Sequence, residues 1–351
     1  MKKLILLFML CIFAVSCASN GSGFPASLPR YKAGSEALYV KDENRWYDRQ
    51  NLPITGVVVK EFNYGTIEWE ANFIDGYCEG TRFDYFESGV LKRTMPQRHG
   101  KREGVVQGYY ESGRLRWTTP FKADKEEGLE RNYYESGRLK QEVMYAGGVR
   151  NGYVKDYYES GKLQRHVEVK DDKRDGVIRG YYESGVLKWE TPFRGDKENG
   201  LERNYYESGK LQRETPYVGG NRQGISKYYY ENGSVKWTAP YKDDEQEGIE
   251  IQYYQSGKVR AEIPYKKGKR DGTSRSYYES DTKQLEQVTI FVADKRDGVS
   301  VFYNKAGIVF AKLTFKDGRA ISGICIENST QTPISATDLA VYNAGRGIQC
   351  K

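Results

Sequence analysis

The stretch GLERNYYESGKLQRETPYVGGNRQ, residues 200–223, decides the fold, because close variants of it recur along the 351-residue chain. Glycines fall at 24-residue intervals from Gly56 to Gly272, and a second series keeps the same interval from Gly65 to Gly257. Further units begin at Gly298 and, in part, at Gly323, which gives eleven units and a remnant. A fixed period of this length is typical of repeat proteins, whose units stack on their neighbours.

Each unit reads as a β-hairpin followed by a loop. Residues 201–206 are rich in aromatics and predict one strand, and residues 210–217 predict the return strand. Glu207-Ser208-Gly209 predicts a three-residue turn in which the glycine takes a positive φ. Residues 218–223 predict a polar loop. Prolines recur near the end of the return strand, where a missing N–H is tolerated. They are Pro96, Pro120, Pro192, Pro216, Pro240 and Pro264.

The predicted fold is therefore all-β: an elongated, single-layer antiparallel β-hairpin array of about eleven 24-residue units at residues 56–322. Residues 31–55 form an N-terminal cap and residues 323–351 a C-terminal cap. Within the latter, Ser335 followed by Asp338 predicts a helix start, and Gly345 a helix stop.

The three-residue turn also predicts which side chains share a face. Continued without irregularity, it pairs Tyr205 with Leu211 and Arg203 with Arg213. The same spacing places Arg179 near Trp189, Lys227 near Trp237 and Lys155 near Arg165. Cation–π contacts and opposed like charges would then alternate along one face.

This face carries the candidate binding stripe, a row of basic residues with two tryptophans. The stripe comprises Arg131, Lys155, Arg179, Trp189, Arg203, Lys227, Trp237 and Arg275. Repeated like charges favour an acidic partner. The alternative is a solvated face on which long side chains cover apolar neighbours.

A tyrosine stripe is predicted on the other face. It contains Tyr110, Tyr134, Tyr158, Tyr182, Tyr206, Tyr230 and Tyr254. Tyrosine suits recognition surfaces, but it also favours strands for structural reasons. The sequence leaves both interpretations open.

The N-terminus reads MKKLILLFMLCIFAVSC, a basic start and an apolar run too short to span a bilayer. Residues 1–16 predict a secretory signal peptide, and the end Ala14-Val15-Ser16-Cys17 resembles a bacterial lipobox. That resemblance implies lipidation of Cys17, a tether at residues 17–30 and a cell-envelope lipoprotein. Because Ala18-Ser19 lacks an acidic residue, the outer membrane is favoured where the cell has one.

Cys78, Cys325 and Cys350 remain in an oxidising compartment. Cys325 and Cys350 both lie in the non-repetitive tail and are a candidate disulfide, with three reduced thiols as the alternative.

Signals for catalysis are missing from the pattern. The chain has only 2 histidines, its repeated Glu-Ser-Gly lacks the first glycine of a nucleophile elbow, and no cysteine spacing fits a zinc site. We therefore expect no enzyme, no metal, no cofactor and no nucleic-acid partner.

The unit Y-Y-E-S-G-K-L-x-x-E-x-x-Y followed by a loop ending in glycine resembles the variant MORN repeat of bacterial proteins, over roughly Gly56 to Gly323. Many proteins with this repeat are grouped as YwqK-type antitoxins, which implies protein binding. We expect a lipid-anchored scaffold that binds a protein, as an immunity or adhesion-type partner. The alternative is a carbohydrate- or cell-wall-binding module, motivated by the aromatic stripes.

Overall fold

The structure, a computed structural model, describes residues 27–40, 45–343, 348 and 350. The predicted signal peptide, Cys17, most of the tether and Gly345 lie outside the described residues. Contacts divide the chain into two compact units. Among the described residues, the first contains those up to Leu139 together with Tyr145–Gly148, and the second contains Lys140–Met144 and those from Val149 onward.

Eleven hairpins, numbered here as repeats 1 to 11, follow one another in the described residues. Their opening strands are Gly56–Glu61, Gly80–Tyr85, Gly104–Tyr109, Gly128–Tyr133, Val149–Tyr157, Gly176–Tyr181, Gly200–Tyr205, Gly224–Tyr229, Gly248–Tyr253, Gly272–Tyr277 and Gly298–Tyr303. Their return strands are Ile67–Ile74, Leu91–Arg98, Leu115–Lys122, Leu139–Ala146, Leu163–Lys170, Leu187–Arg194, Leu211–Val218, Val235–Lys242, Val259–Lys266, Leu285–Val292 and Val309–Lys316.

Two-residue link strands join successive hairpins. They are Tyr77–Cys78, Lys101–Arg102, Lys125–Glu126, Lys173–Arg174, Lys197–Glu198, Asn221–Arg222, Glu245–Gln246, Lys269–Arg270 and Lys295–Arg296. In repeat 5 the link is fused to the opening strand Val149–Tyr157. The predicted all-β, antiparallel hairpin array is confirmed.

The hairpin turn has the predicted form. In repeat 7 the Gly209 N–H donates to the Tyr206 carbonyl at 2.9 Å, and the Tyr206 N–H donates to the Lys210 carbonyl at 2.8 Å. Gly209 has a φ of 83°, which an L side chain rarely adopts. Tyr205 pairs with Leu211, as predicted.

One step further, a bulge overturns the predicted register. Gln212 is an extra residue on the return strand, so Asn204 pairs with Arg213 and Arg203 with Glu214. The predicted Arg203–Arg213 pair is therefore wrong. The same bulge recurs in repeats 1 to 3 and 5 to 11, and it moves every later side chain of the return strand to the opposite face.

Two faces follow from this register and are named here. The inner face carries the positions of Glu202, Asn204, Arg213 and Thr215, and the outer face carries those of Arg203 and Glu214. Thr215, Ser226 and Ala239 are almost fully buried on the inner face, at 1–2% exposure. In these repeats the buried residues thus form a narrow stripe along the inner face of the sheet.

The predicted polar loop is instead a second, tighter hairpin. In repeat 7 it consists of the two-residue turn Gly219-Gly220, both at positive φ, and the link strand Asn221–Arg222. Other repeats place Asp-Asp, Ala-Asp or Lys-Gly at this turn, as at Asp171-Asp172. Two residues at positive φ define the turn that matches strand twist.

The N-terminal cap combines a parallel strand with a small separate sheet. Arg30–Lys32 pairs in parallel with Gly56–Glu61 of repeat 1, and Leu38–Val40 pairs with Arg45–Tyr47. Trp46 packs on Trp69 and Phe73 with ring centroids 5.8 and 5.7 Å apart. The cap therefore covers the first hairpin with aromatic surface.

The C-terminal cap consists of the strands Arg319–Glu327 and Thr330–Pro333 and the helix Ala336–Asn343. The helix begins where predicted, because the Ser335 hydroxyl accepts from the Asp338 N–H at 3.1 Å. Leu339 and Tyr342 pack against a core that includes Leu313 and Phe315. This packing closes the apolar end of repeat 11.

Candidate functional site

The predicted binding stripe does not lie on one face. Arg179 pairs with Glu190 and Lys227 with Thr238 on the outer face, whereas Trp189 pairs with Gly180 and Trp237 with Tyr228 on the inner face. The predicted contacts Arg179–Trp189, Lys227–Trp237 and Lys155–Arg165 are therefore wrong. The bulge places each tryptophan on the face opposite the basic row.

The outer-face basic residues alternate with acidic ones in the middle of the second unit. Arg203 lies 3.3 Å from Glu190 and 3.3 Å from Glu214, one on each neighbouring strand. Tyr229 donates its hydroxyl to Glu214 at 2.9 Å. Burial and this carboxylate raise the pKa of Tyr229 to about 12. The positive charge of Arg203 is thus offset by glutamates within the sheet.

The other basic residues of the stripe occupy the same outer-face position. Arg131 pairs with Thr118, Lys155 with His166, Lys227 with Glu214 and Thr238, and Arg275 with Glu262 and Val288. Lys155 and Arg179 differ from the rest, because both have His166, another basic side chain, as a register partner.

On the inner face, one cleft lies beside Trp189 and another beside Trp237. In the Trp189 cleft the indole lies over Gly180, where a Cβ atom would come within 2.4 Å of the ring. Trp237 instead stacks on Tyr228, with ring centroids 4.1 Å apart. The Trp189 cleft encloses about 400 Å³ and the Trp237 cleft about 280 Å³. Their further lining residues include Asp156, Arg165 and Lys188 in the first, and Asn204, Arg213 and Lys236 in the second.

The tyrosine stripe serves the sheet itself. Tyr206 donates its hydroxyl to the Tyr229 carbonyl of the next repeat at 2.8 Å. The same contact, 2.7–2.9 Å long, recurs from Tyr110, Tyr158, Tyr182, Tyr230 and Tyr254. Basic side chains lie over several of these rings, as Lys188 does over Tyr182 at 5.3 Å. These contacts favour the structural interpretation.

Arginine–aspartate contacts, here called the clamp, join successive links between repeats and were not predicted from the sequence. Arg174 Nε donates to Asp196 Oδ1 at 3.0 Å, and the guanidinium lies 4.2 Å from the Phe193 ring. Backbone and side-chain hydrogen bonds from Arg174 lower the pKa of Asp196. The clamp recurs as Arg102–Asp124, Arg150–Asp172, Arg222–Asp244 and Arg270–Asp294.

The signal for the clamp is a correlation within the chain. Where the link residue is Glu126, Glu198 or Gln246, the corresponding turn residue is Gly148, Gly220 or Gly268 instead of aspartate. The pattern becomes visible only once the repeats are aligned on the tight turn.

Cys325 and Cys350 are joined by a disulfide with their Cα atoms 5.5 Å apart. Cys78 is a buried free thiol on the link strand that follows repeat 1. Burial raises its pKa to about 12, partly offset by the Arg82 guanidinium. In the part of the chain that the structure describes, no group of side chains could hold a metal ion, and no helix is long and apolar enough to cross a membrane.

Several solved structures resemble the chain at low sequence identity. A crystal structure of TcdB2-TccC3-Cdc42 matches at 12% identity and a TM-score of 0.18, over 84% of this chain but 18% of the other. The Tc holotoxin pore of Photorhabdus luminescens matches at 12% identity and a TM-score of 0.17, over 81% of this chain and 17% of the other. A porin-like protein from Bacteroides uniformis matches at 10% identity and a TM-score of 0.16, over 76% of this chain and 88% of the other. Scores this low carry no structural argument.

No curated protein matches the chain. A family match does exist, to the family described as MORN repeat variant, at residues 126–146, 150–171, 198–218, 222–243 and 246–267. Each matched segment begins in a link strand, or in the fused strand of repeat 5, and runs to the end of the following return strand. The chain therefore contains MORN repeat variant repeats.

Proposed function

We propose that this chain is a non-catalytic scaffold, anchored to the cell envelope by a lipid on Cys17, that binds a protein along the outer face of its hairpins. Repeats of this kind are often involved in protein or membrane binding. An immunity (antitoxin) or adhesion-type role is the specific form that we propose.

One observation carries the proposal: an apolar strip on the outer face of repeats 8 to 11. Ile225 and Ile249 are both 56% exposed, and Val299 and Ile290 follow at 44% and 36%. Pro240 and Pro264 are the register partners of Ile225 and Ile249, so they extend the strip across the return strands. Contiguous exposed apolar surface marks interaction sites.

A crosslinking pull-down from the native envelope, read by mass spectrometry, tests this proposal. The double variant Ile225→Lys/Ile249→Lys should lose the captured protein, because two charges enter the strip. Ile308→Lys is the matched control, since Ile308 is 61% exposed at the turn of repeat 11 and off the strip. Equal capture by both variants would refute the outer-face strip as the binding surface.

The lipid anchor is a separate prediction. Cys17→Ser should move the protein from the membrane to the soluble fraction, because a thioether-linked lipid cannot form on serine. Metabolic labelling with a radioactive fatty acid reports the lipid directly. Continued membrane association of the unlabelled variant would contradict the anchor.

Carbohydrate binding is the second candidate, favoured by the Trp189 and Trp237 clefts. Each combines an indole with charged or amide side chains, a mixture of apolar and orienting polar groups typical of ligand sites. Retention on peptidoglycan or on a glycan array, lost in Trp189→Ala/Trp237→Ala, would support this function over protein binding.

A further inference from the structure

His166 interrupts the alternation of charge on the outer face. Its return-strand position holds Glu142, Glu190, Glu214 and Glu262 in other repeats of the second unit. Only in repeat 5 is a basic residue placed there between two cations. The residue that stands between Lys155 and Arg179 is therefore not a carboxylate.

The register puts three basic side chains side by side, here called the basic row. Lys155 pairs with His166 within repeat 5, and His166 pairs with Arg179 on the adjoining strand of repeat 6. All three are partly exposed. Like charges directly opposite one another in a sheet are unfavourable.

The nearest carboxylates also bind other groups, or form only long ion pairs with Arg179. Glu142 accepts the Tyr157 hydroxyl at 2.9 Å, and Glu190 contacts Arg203 at 3.3 Å. From Arg179, the closest carboxylate oxygens lie at 3.5 Å on Glu190 and 3.9 Å on Glu168. Both distances exceed that of a charge-assisted hydrogen bond, roughly 2.7–2.9 Å. The guanidinium of Arg179 therefore retains donor capacity.

The surroundings of His166 disfavour its protonation in the free protein. It faces Lys155 and Tyr153 from the opening strand of repeat 5, Arg179 from repeat 6, and Glu168 from its own strand. Burial lowers its pKa, Lys155 and Arg179 lower it further, and Glu168 opposes them. A negative ligand would reverse the effect of the two cations.

We propose that Lys155, His166 and Arg179 form an anion site that receives carboxylate side chains of the protein partner and tightens as the pH falls. This inference rests on the proposed function, because it names the chemistry of the partner. Carboxylates would take the place that glutamate occupies in neighbouring repeats, with charge-assisted hydrogen bonds from the row.

The direction of the pH effect follows from linkage. The lowered pKa means that protonation of His166 destabilises the free fold as the pH falls below about 6.5, the ordinary value for histidine. A bound carboxylate raises that pKa, so binding takes up a proton. Each unit of rise corresponds to about tenfold tighter binding at low pH than at high pH.

The test uses an end-blocked hexaglutamate peptide and the purified full chain labelled with ¹³C-histidine. Because the chain has only 2 histidines, the spectrum contains two histidine ring signals. His99→Gln removes one of them and so assigns the other to His166. We expect the peptide to raise the pKa of His166, to leave that of His99 unchanged, and to bind more tightly at pH 5.5 than at pH 7.5.

His166→Glu restores the residue that other repeats carry. It should abolish peptide binding while raising the melting temperature, since a carboxylate would stand between Lys155 and Arg179. Thr238→Glu is the matched control in repeat 8, beside Lys227, and should bind the peptide as the parent does.

An unchanged His166 pKa, or full binding by His166→Glu, would overturn the site. Binding of inorganic phosphate with no binding of hexaglutamate would also overturn it, because the row would then select another oxyanion. Protein capture in the pull-down with no peptide binding leaves the scaffold function intact and rejects only this site. Failure of both experiments rejects the scaffold function as well.

Discussion

Which residue a repeat position requires depends on its register partner on the neighbouring strand. Gly108 and Gly180 sit opposite Trp117 and Trp189, and in both cases a Cβ atom would come within 2.3–2.4 Å of the indole. Asn204 occupies the same position in repeat 7, where Arg213 is its partner. Glycine is therefore needed where the indole lies over the opposite backbone, as Trp117 and Trp189 do, whereas Trp237 stacks on Tyr228. The hairpin position alone does not require glycine.

Gly180→Ala should destabilise repeat 6 by roughly 1–3 kcal/mol, the usual cost of forcing extra volume into packed surface. The displaced indole should also change the tryptophan fluorescence of the native protein. Asn204→Ala serves as the control, because alanine is smaller than asparagine at that site. Thermal unfolding of both variants measures the effect, and equal melting temperatures would contradict it.

At the scale of the element, neighbouring repeats such as 6 and 7 are held together by contacts outside the hydrogen-bonded ladder. The tyrosine hydroxyl at the hairpin end and the arginine–aspartate clamp at the link end fix both edges of the interface, as at Tyr182–Tyr205 and Arg174–Asp196. Neighbour contacts of this kind supply the stability that isolated hairpins lack.

The clamp predicts a coupling between its two residues. Arg174→Glu should lower the melting temperature strongly, because it opposes Asp196 with a like charge and uncovers Phe193. In an Asp196→Gly background, which reproduces the Glu198–Gly220 pair, the same change should cost clearly less. Equal losses in the two backgrounds would show that the pair is not coupled.

The clamp also predicts acid sensitivity. Because the pKa of Asp196 is lowered in the fold, its contribution is present above about 3.8, the ordinary aspartate value, and is lost as the pH falls through the lower folded value. Titration by NMR should therefore find Asp196 ionised at a pH where an ordinary aspartate is half protonated.

At the scale of the whole molecule, the caps differ in how they are secured. Trp46 and the parallel strand Arg30–Lys32 close the first repeat by packing, whereas the last repeat is covered by a helix and a disulfide. The two cysteines are 25 residues apart, and closing a loop of this size stabilises a fold by about 3 kcal/mol.

Reduction should therefore release the C-terminal cap while repeat 1 stays folded. Under non-reducing native conditions Cys78 should alkylate slowly at pH 8, because its pKa of about 12 keeps it protonated and the site is buried. Peptide mapping after alkylation measures each thiol. Rapid native labelling of Cys325 would contradict the disulfide.

The sequence by itself determined the period, the hairpin and the positive φ of the turn glycine, because these depend on residues only a few positions apart. Gly209 and the pairing of Tyr205 with Leu211 follow from one turn. The start of the terminal helix at Ser335 is equally local. Such features need no knowledge of neighbouring strands.

Only the tertiary structure decided what each face carries. The extra residue at the Gln212 position has no signature in composition or period, yet it reverses the face of every later residue on the strand. It separated Trp189 from Arg179 and brought Glu190 to Arg203. The same shift left His166 between Lys155 and Arg179, because strand register, unlike strand identity, is fixed by pairing across the sheet.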